Sequence, residues 1–361
     1  MTKRSIAGFS AIMIGDSYMT QDWDGKIKTA LTITTAGFGF MAAAGNILYD
    51  YIINRNQKYM FGPLKKYKES VKIGEFFRMD LSEETMQWAE KTTISQRQTH
   101  AYDGTTLNAY CFEQPKPVQR WIIAVHGYGQ SASAMFPFVK PFYEDGYNVM
   151  IPECRGFGRS GGNYYGLGWA DRLDIVKWCR LICADQPKAE IVLFGLSTGA
   201  DAVLMASGED NLPTNVKCII SDSAYSRLTD LSNYILHRRG LPAGLLTFAT
   251  SMVTYLRAGY SFMEASAVNQ VCKSHTPTLF IHGGQDNIFP VEMCYELYEA
   301  ADSSKDIMIV QEASHGYAMF ADYENYWHRI RKFTQTCLPQ KPEDDSYVSR
   351  LKHQVKKAVG R

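Results

Sequence analysis

The 361-residue chain lacks a surplus of either charge, since 38 basic and 37 acidic residues give a formal net charge of +1. A near-neutral chain offers no broad basic field for nucleic acid, so we expect no nucleic-acid partner. Hydrophobic residues make up 45% of the chain and aromatic residues 13%, which is enough for a sizeable core. The length suits one large α/β domain with additional segments, or two small domains.

Paired cysteine motifs are also absent. None of the eight cysteines forms a C-x-x-C pair, and none clusters with histidine at the spacing of a zinc site, so we expect no metal. The cysteines are scattered from Cys111 to Cys337, a spread typical of reduced, mostly buried thiols. That favours a reducing compartment, although eight cysteines are also enough to pair.

Charge is absent from residues 29–49, a run of about 21 residues that is long enough to cross a bilayer. Threonine, glycine and Asn46 dilute the run, and it starts too late, after three aspartates, for a signal peptide. Two interpretations stay open: a membrane-associated segment, or a helix packed on the following domain or on a partner. The basic residues at 55–68 would put the following domain on the cytoplasmic side and suit a membrane surface. The predicted location is therefore membrane-associated through 29–49, or cytoplasmic.

Strands and helices alternate from residue 64 to residue 337, with no internal repeat. The predicted strands are 93–100, 105–112, 121–125, 147–151, 191–194, 217–220, 278–281 and 306–311. This order predicts an α/β fold, a mostly parallel eight-stranded sheet with helices on both faces. An apolar, aromatic, helical stretch at 223–275 interrupts the alternation and is interpreted as an inserted cap. The predicted division is an N-terminal extension (1–63), a catalytic domain (64–337) and a charged tail (338–361).

The motif G-L-S-T-G at 195–199 joins an apolar run to a series of good helix formers. In a G-x-S-x-G turn between strand and helix, the serine adopts a strained backbone conformation and its hydroxyl stands above the sheet. The flanking glycines remove side chains that would collide there. We therefore predict Ser197 to be a nucleophile. The competing interpretation is a glycine-rich turn with a solvated serine.

Three further groups follow predicted strands, at the sheet edge where such folds bind ligands. Asp286 follows the next-to-last strand, and His315 follows the last. Ser, Asp and His in this order predict a triad in which His315 is the base and Asp286 orients it. The backbone N–H groups of Thr198 and Tyr128 would form the oxyanion hole.

Other polar residues near these motifs have alternative roles. Asp222 also ends a strand and is the alternative acid. His282 and His126 are predicted to be structural, with His126 hydrogen-bonded to backbone. Arg155 and its neighbours Arg159 and Glu153 are predicted to brace the loop they occupy.

Five motifs resemble those of the α/β-hydrolase superfamily, in its bacterial serine-aminopeptidase-like and esterase branch. They are H-G-Y-G at 126–129, R-G-F-G-R-S at 155–160, G-L-S-T-G at 195–199, G-G-Q-D-N-I-F-P at 283–290 and S-H-G-Y at 314–317. The resemblance covers about residues 64–337 and implies hydrolysis of an ester, amide or thioester through an acyl-enzyme, without a cofactor. Thr198 replaces the usual Met or Gln, a change that leaves its N–H in place. Asp201 stands where a small apolar residue is usual, and is expected to shape the cap side of the pocket or to be exposed.

The leading hypothesis is a serine hydrolase, carboxylesterase-like, that acts on a small or medium acyl ester as its small-molecule substrate. Six cap residues would supply an apolar acyl pocket: Tyr234, Leu245, Phe248, Met252, Tyr255 and Tyr260. The alternative is an aminopeptidase-type amide hydrolase, whose substrate amine would be bound by Glu264, Asp230 or Asp201. A third hypothesis, from another class, is a non-catalytic, membrane-tethered binding protein. The partner predictions are this acyl substrate and a membrane surface contacted through the N-terminal segment.

Overall fold

A computed structural model of the chain describes residues 39–55 and 83–338. An eight-stranded sheet lies at its centre, in the order β1-β2-β4-β3-β5-β6-β7-β8. The strands are β1 (Ile94–His100), β2 (Thr106–Phe112), β3 (Arg120–Val125), β4 (Asn148–Glu153), β5 (Glu190–Leu196), β6 (Val216–Asp222), β7 (Thr278–Gly283) and β8 (Lys305–Val310). The pairs β1–β2 and β2–β4 are antiparallel, and all other neighbours are parallel. The predicted mostly parallel sheet is confirmed.

Helices cover both faces of this sheet. They are α1 (helical over 39–52), α2 (Glu83–Lys91), α3 (Phe136–Glu144), α4 (Asp171–Asp185), α5 (Thr198–Ser207), α6 (Leu228–His237), α7 (Ala243–Ala258), α8 (Ala267–Val271), α9 (Val291–Ala300), α10 (Ala318–Ala321) and α11 (Tyr323–Cys337). One core, which includes Trp178 and Leu204, packs α4, α5 and α9 on one face. The other, which includes Phe142 and Trp327, packs α3 and α11 on the opposite face. The central strands are mostly apolar because both of their faces are buried.

Local chemistry explains several element boundaries. The hairpin between β1 and β2 turns at Asp103-Gly104, where the Asp103 side chain accepts a hydrogen bond from the Thr105 N–H at 3.0 Å and Gly104 has φ of +80°. Helix α4 begins at Asp171. Gly168 has φ of +88°, which a right-handed helix does not allow, so the helix starts after it.

The N-terminal segment packs on α7, in agreement with one of the two interpretations of the uncharged run. Gly45 lies so close to α7 that a Cβ in its place would be 2.6 Å from the Ala249 carbonyl oxygen. Arg257 of α7 forms an ion pair with Asp50 at 2.9 Å and lies over the Tyr49 ring. Among the described residues, no helix has the length and apolar character needed to cross a bilayer. Residues 29–38 of the run lie outside the described ranges, and the membrane contact stays a prediction.

The same segment reaches the loops of the catalytic domain. The Arg55 guanidinium donates to the carbonyl oxygens of Ser160 (2.6 Å) and Gly158 (2.9 Å), and the Tyr128 hydroxyl donates to the Ile52 carbonyl at 2.8 Å. Residues 39–55 therefore support the loops around the candidate site. Of the predicted division, residues 1–38, 56–82 and the tail after 338 lie outside the described ranges, and the division stays a prediction.

Candidate active site

Ser197 occupies a sharp turn between β5 and α5, with φ of +55° and ψ of −128°. A non-glycine residue in this region stores strain on the order of 1–3 kcal/mol and persists only where its surroundings hold it. The Ser197 N–H donates to the Asp222 carbonyl at 2.8 Å. A side chain at Gly195 would collide with the backbone of Gly199, and one at Gly199 with the carbonyl oxygen of Val125. Both glycines of the motif are therefore needed for the turn to pack.

The structure brings Ser197, His315 and Asp286 together at the carboxyl edge of the sheet. His315 follows β8, and its Nε2 lies 2.8 Å from Ser197 Oγ. The other ring nitrogen, Nδ1, lies 2.6 Å from Asp286 Oδ2. Since a carboxylate only accepts hydrogen bonds, Nδ1 carries the proton and Nε2 is left to accept from the serine hydroxyl. All three side chains are buried.

Asp286 is held by hydrogen bonds to both of its oxygens. Oδ1 accepts from the backbone N–H groups of Ile288 (2.9 Å) and Phe289 (2.8 Å), and Oδ2 faces His315 and His282. Burial alone would raise the pKa of this carboxyl, but the two histidines outweigh burial and hold the pKa well below its usual range. Asp286 is therefore ionised at neutral pH.

The predicted oxyanion-hole donors, the N–H groups of Thr198 and Tyr128, belong to two turns that meet at Ser197. Thr198 is the first residue of α5, where a helix leaves its N–H groups without intrahelical acceptors. The turn carrying Tyr128 lies against the serine, since a methyl group on Gly127 would be 3.0 Å from Ser197 Cβ. Among the described residues, neither N–H has a protein acceptor. This arrangement is able to bind an oxyanion.

Asp222, the alternative acid, makes no hydrogen bond to His315. Its Oδ1 accepts from the Ser223 hydroxyl and its Oδ2 from the Tyr326 hydroxyl, both at 2.8 Å. Ser223 Oγ in turn accepts from the Gly316 N–H at 3.2 Å. Asp222 therefore braces the loop that carries His315, and the contact with the histidine is made by Asp286.

His126 and Arg155 have the structural roles predicted for them. Nδ1 of His126 donates to the Gly127 carbonyl at 2.9 Å, and its Nε2 accepts from the Cys154 N–H at 3.1 Å. Burial lowers the pKa of His126 to about 4, so the ring is neutral. Arg155 makes a bidentate, buried ion pair with Asp174 at 2.9 and 2.8 Å. Both residues hold the loops around the site.

The three acids considered for binding a substrate amine have partners within the protein, although Asp201 Oδ2 has none among the described residues. Asp201 is fully buried, which excludes the exposed alternative, and its Oδ1 accepts from the Tyr225 N–H at 3.0 Å. Burial raises the pKa of Asp201 well above its usual value. Asp230 pairs with Arg227 at 3.3 Å, and Glu264 accepts from the N–H and the hydroxyl of a neighbouring serine at 2.8 Å.

The cap residues predicted to form an acyl pocket are divided between surface and core. Leu245, Phe248, Met252 and Tyr255 are 52%, 57%, 46% and 56% exposed. Their spacing places them on one outward face of α7. Tyr260 is buried and donates its hydroxyl proton to the Tyr165 carbonyl. The cap thus presents an open apolar face, which we call the α7 stripe (Leu245, Phe248, Met252 and Tyr255).

His282 is the site residue whose importance the sequence did not indicate. It lies in β7, fully buried, with Nε2 at 3.2 Å from Asp286 Oδ2. This is the oxygen that also binds His315. The available signal was a histidine four residues before the acid, within the strand that positions it.

Comparisons with known sequences agree with the motifs. A family model described as serine aminopeptidase, S33, matches residues 116–238, which include Ser197 and both oxyanion-hole candidates. The uncharacterized protein YqkD of Bacillus subtilis is 25% identical over 252 residues, 69% of this chain and 81% of that protein. The uncharacterized protein YfhR of Salmonella typhimurium is 28% identical over 258 residues, 67% of this chain and 81% of that protein.

Solved structures share the fold. The Pyrococcus furiosus esterase Pf2001 matches with a TM-score of 0.58 and 20% identity, over 70% of this chain and 94% of that one. The acylaminoacyl peptidase of Pyrococcus horikoshii matches with a TM-score of 0.51 and 17% identity, over 74% of this chain and 46% of that one. This sheet topology and these matches show that the chain has the α/β-hydrolase fold.

Proposed function

We propose that the chain is a serine hydrolase that cleaves a small or medium acyl ester through an acyl-enzyme intermediate. The observation that carries this proposal is the hydrogen-bonded series Ser197–His315–Asp286, with the serine on a strained turn. A serine hydroxyl is a weak nucleophile unless a neighbouring base takes its proton. His315 Nε2 is at the distance this transfer needs.

In the proposed reaction, Ser197 Oγ attacks the ester carbonyl carbon while His315 Nε2 accepts the hydroxyl proton. The carbonyl oxygen becomes an oxyanion that accepts hydrogen bonds from the N–H groups of Thr198 and Tyr128. Asp286 stabilises the imidazolium. The intermediate collapses as His315 returns the proton to the departing alkoxide, which leaves as the alcohol. Water then attacks the acyl-enzyme by the same steps, releasing the acid and restoring Ser197.

We propose that the cap selects the substrate, because its α7 stripe offers an exposed apolar surface for an acyl group. The amide alternative has support from the family model's description and from the peptidase neighbour. An aminopeptidase needs an acid that is free to bind the substrate amine. Asp230 and Glu264 have partners within the protein. Burial raises the pKa of Asp201 well above its usual value, which disfavours the carboxylate that an amine needs. Both observations favour the ester.

Hydrolysis of p-nitrophenyl acetate and butyrate by the full chain tests the proposal, with aminoacyl anilides as the amide arm. The Ser197→Ala variant should lose turnover of every substrate, and a fluorophosphonate probe should label the wild type only. Turnover retained by the variant would overturn the mechanism. Failure of the folded wild type to react with the probe would favour the non-catalytic binding protein.

A further inference from the structure

We infer that Tyr128 is a positioning residue, whose hydroxyl ties the oxyanion-hole turn (126–130) to the end of α1. This inference rests on the proposed function, which uses only the backbone N–H of Tyr128. It assigns to the side chain, and to the N-terminal segment that it contacts, the task of holding that N–H in place. The segment at 39–55 is then part of the catalytic unit.

Backbone contacts hold the oxyanion-hole turn on one side of the Tyr128 N–H. This N–H and the Gly127 carbonyl belong to one trans peptide group, so the two point in opposite directions. The carbonyl accepts from His126 Nδ1 at 2.9 Å and from the Gln130 N–H at 3.3 Å, and Gln130 Oε1 accepts from the Gly127 N–H at 2.9 Å. On the other side, Gly129 is exposed and has no side chain with which to hold the turn. That side therefore depends on the side chain of Tyr128.

The Tyr128 side chain is fixed by its ring and by its hydroxyl. The ring makes edge contacts with Phe157 and Tyr165, with centroids 5.9 and 5.2 Å apart. The hydroxyl donates to the Ile52 carbonyl at 2.8 Å. Ile52 is the last helical residue of α1, a position where carbonyl oxygens have no donor within the helix. The hydrogen bond therefore satisfies the helix end and holds the tyrosine at the same time.

The acceptor end of this tether is itself anchored. The Tyr165 N–H donates to the Ile53 carbonyl at 2.9 Å, and the Arg55 N–H donates to the Asn163 carbonyl at 3.0 Å. The Arg55 guanidinium also donates to the Ser160 carbonyl at 2.6 Å. Residues 52–55 are thus bound to the same loop that supplies the rings around Tyr128. The tether joins the oxyanion-hole turn to a point that is held independently.

The Tyr128→Phe variant removes the hydroxyl and keeps both the ring and the backbone N–H. Because an oxyanion hole acts in the transition state, we expect kcat for p-nitrophenyl acetate to fall about tenfold, with KM changed by less than about twofold. A trifluoromethyl ketone adds to the serine as an oxyanion, so its Ki should rise by about the same factor as kcat/KM falls.

Tyr225→Phe is the matched control. Its buried hydroxyl donates to the Leu167 carbonyl at 2.6 Å, on a loop other than the oxyanion-hole turn. Loss of this hydroxyl should lower the free energy of unfolding as Tyr128→Phe does, but leave kcat and the Ki of the ketone at their wild-type values. Equal losses of kcat in the two variants would mean that the Tyr128 hydroxyl acts through stability alone, which contradicts the inference.

The anchored end of the tether gives a second test, which also serves if Tyr128→Phe does not fold. Arg55→Gln weakens the hold on residues 52–55 without changing the turn. It should lower kcat about threefold in the wild type and have little further effect in Tyr128→Phe, because the two residues act through one tether. A wild-type kcat in folded Tyr128→Phe or in Arg55→Gln would overturn the inference.

The proposed function is tested separately. A wild-type kcat in these variants, with Ser197→Ala still inactive, leaves the proposed function standing. Turnover by Ser197→Ala would instead remove the proposed function itself.

Discussion

The carboxyl edge of the sheet and the outer face of α7 differ in how deeply their side chains are buried. At the sheet edge, Ser197, His315 and Asp286 are buried and joined by hydrogen bonds of 2.8 and 2.6 Å. On α7, the large apolar side chains of the α7 stripe are about half exposed. We therefore propose that the reaction type is set at the sheet edge and the substrate choice in the cap.

The strongest test of this contrast compares two buried aspartates at the edge. Asp286→Asn keeps the side-chain shape but puts an amide where a carboxylate orients His315, so the wrong tautomer is favoured. We expect kcat to fall roughly 10⁴-fold. Asp222→Asn still has an oxygen to accept from Tyr326 or Ser223, and should lose less than tenfold in kcat. Esterase kinetics at pH 8 measure both, and equal losses would show that the two acids share the role.

These differences were only partly visible in the sequence. Ser197, Asp286 and His315 could be predicted because each closes a strand within a recognisable motif, and strand ends of a parallel sheet meet at one edge. The contact of His282 with Asp286 was not predicted, because its partners, Asp286 and the Phe289 carbonyl, are brought to it by the turn after β7. Neither the burial of a side chain nor its hydrogen bond to a backbone carbonyl is visible as a local pattern in the sequence.

The packing of the cap against the N-terminal segment was likewise not predictable from the sequence. The helical content of 223–275 followed from composition, but the orientation of α7 depends on α1, where Gly45 meets Ala249 and Asp50 meets Arg257. These contacts join residues about 200 positions apart, and no spacing rule predicts them. An apolar helix face alone does not reveal whether it lines a pocket or faces outward.

Protonation of two buried histidines at the edge, His282 and His126, should make the free energy of unfolding depend on pH in opposite directions. The pKa of His282 is raised to about 10, so its contribution is fully present below its unfolded pKa of about 6.5 and is lost as pH rises towards 10. The pKa of His126 is lowered to about 4, so its contribution is present above about 6.5 and is lost as pH falls towards 4. Each effect amounts to a few kcal/mol, because one pKa unit is about 1.4 kcal/mol.

Urea unfolding between pH 5 and pH 9 separates the two histidines. His282→Gln should remove much of the loss of stability above pH 7, and His126→Gln much of the loss below pH 6. The two variants serve as controls for one another because both replace a buried ring by the same amide. A wild-type slope above pH 7 in His282→Gln would mean that His282 is neutral in the folded chain.

The smallest expected effects are on the α7 stripe, where Phe248→Ala and Met252→Ala remove apolar surface that is already partly exposed. Because little of the core changes, the free energy of unfolding should stay within about 0.5 kcal/mol. If the stripe contacts the acyl chain, KM for p-nitrophenyl butyrate should rise about 3- to 10-fold, the equivalent of about 1 kcal/mol. KM for the acetate should change less, since its acyl group is two carbons shorter.

Tyr102→Ala, at a 98% exposed side chain in the β1–β2 hairpin, is the matched control and should leave KM for both esters unchanged. Equal effects on the two esters would place acyl selection elsewhere in the cap.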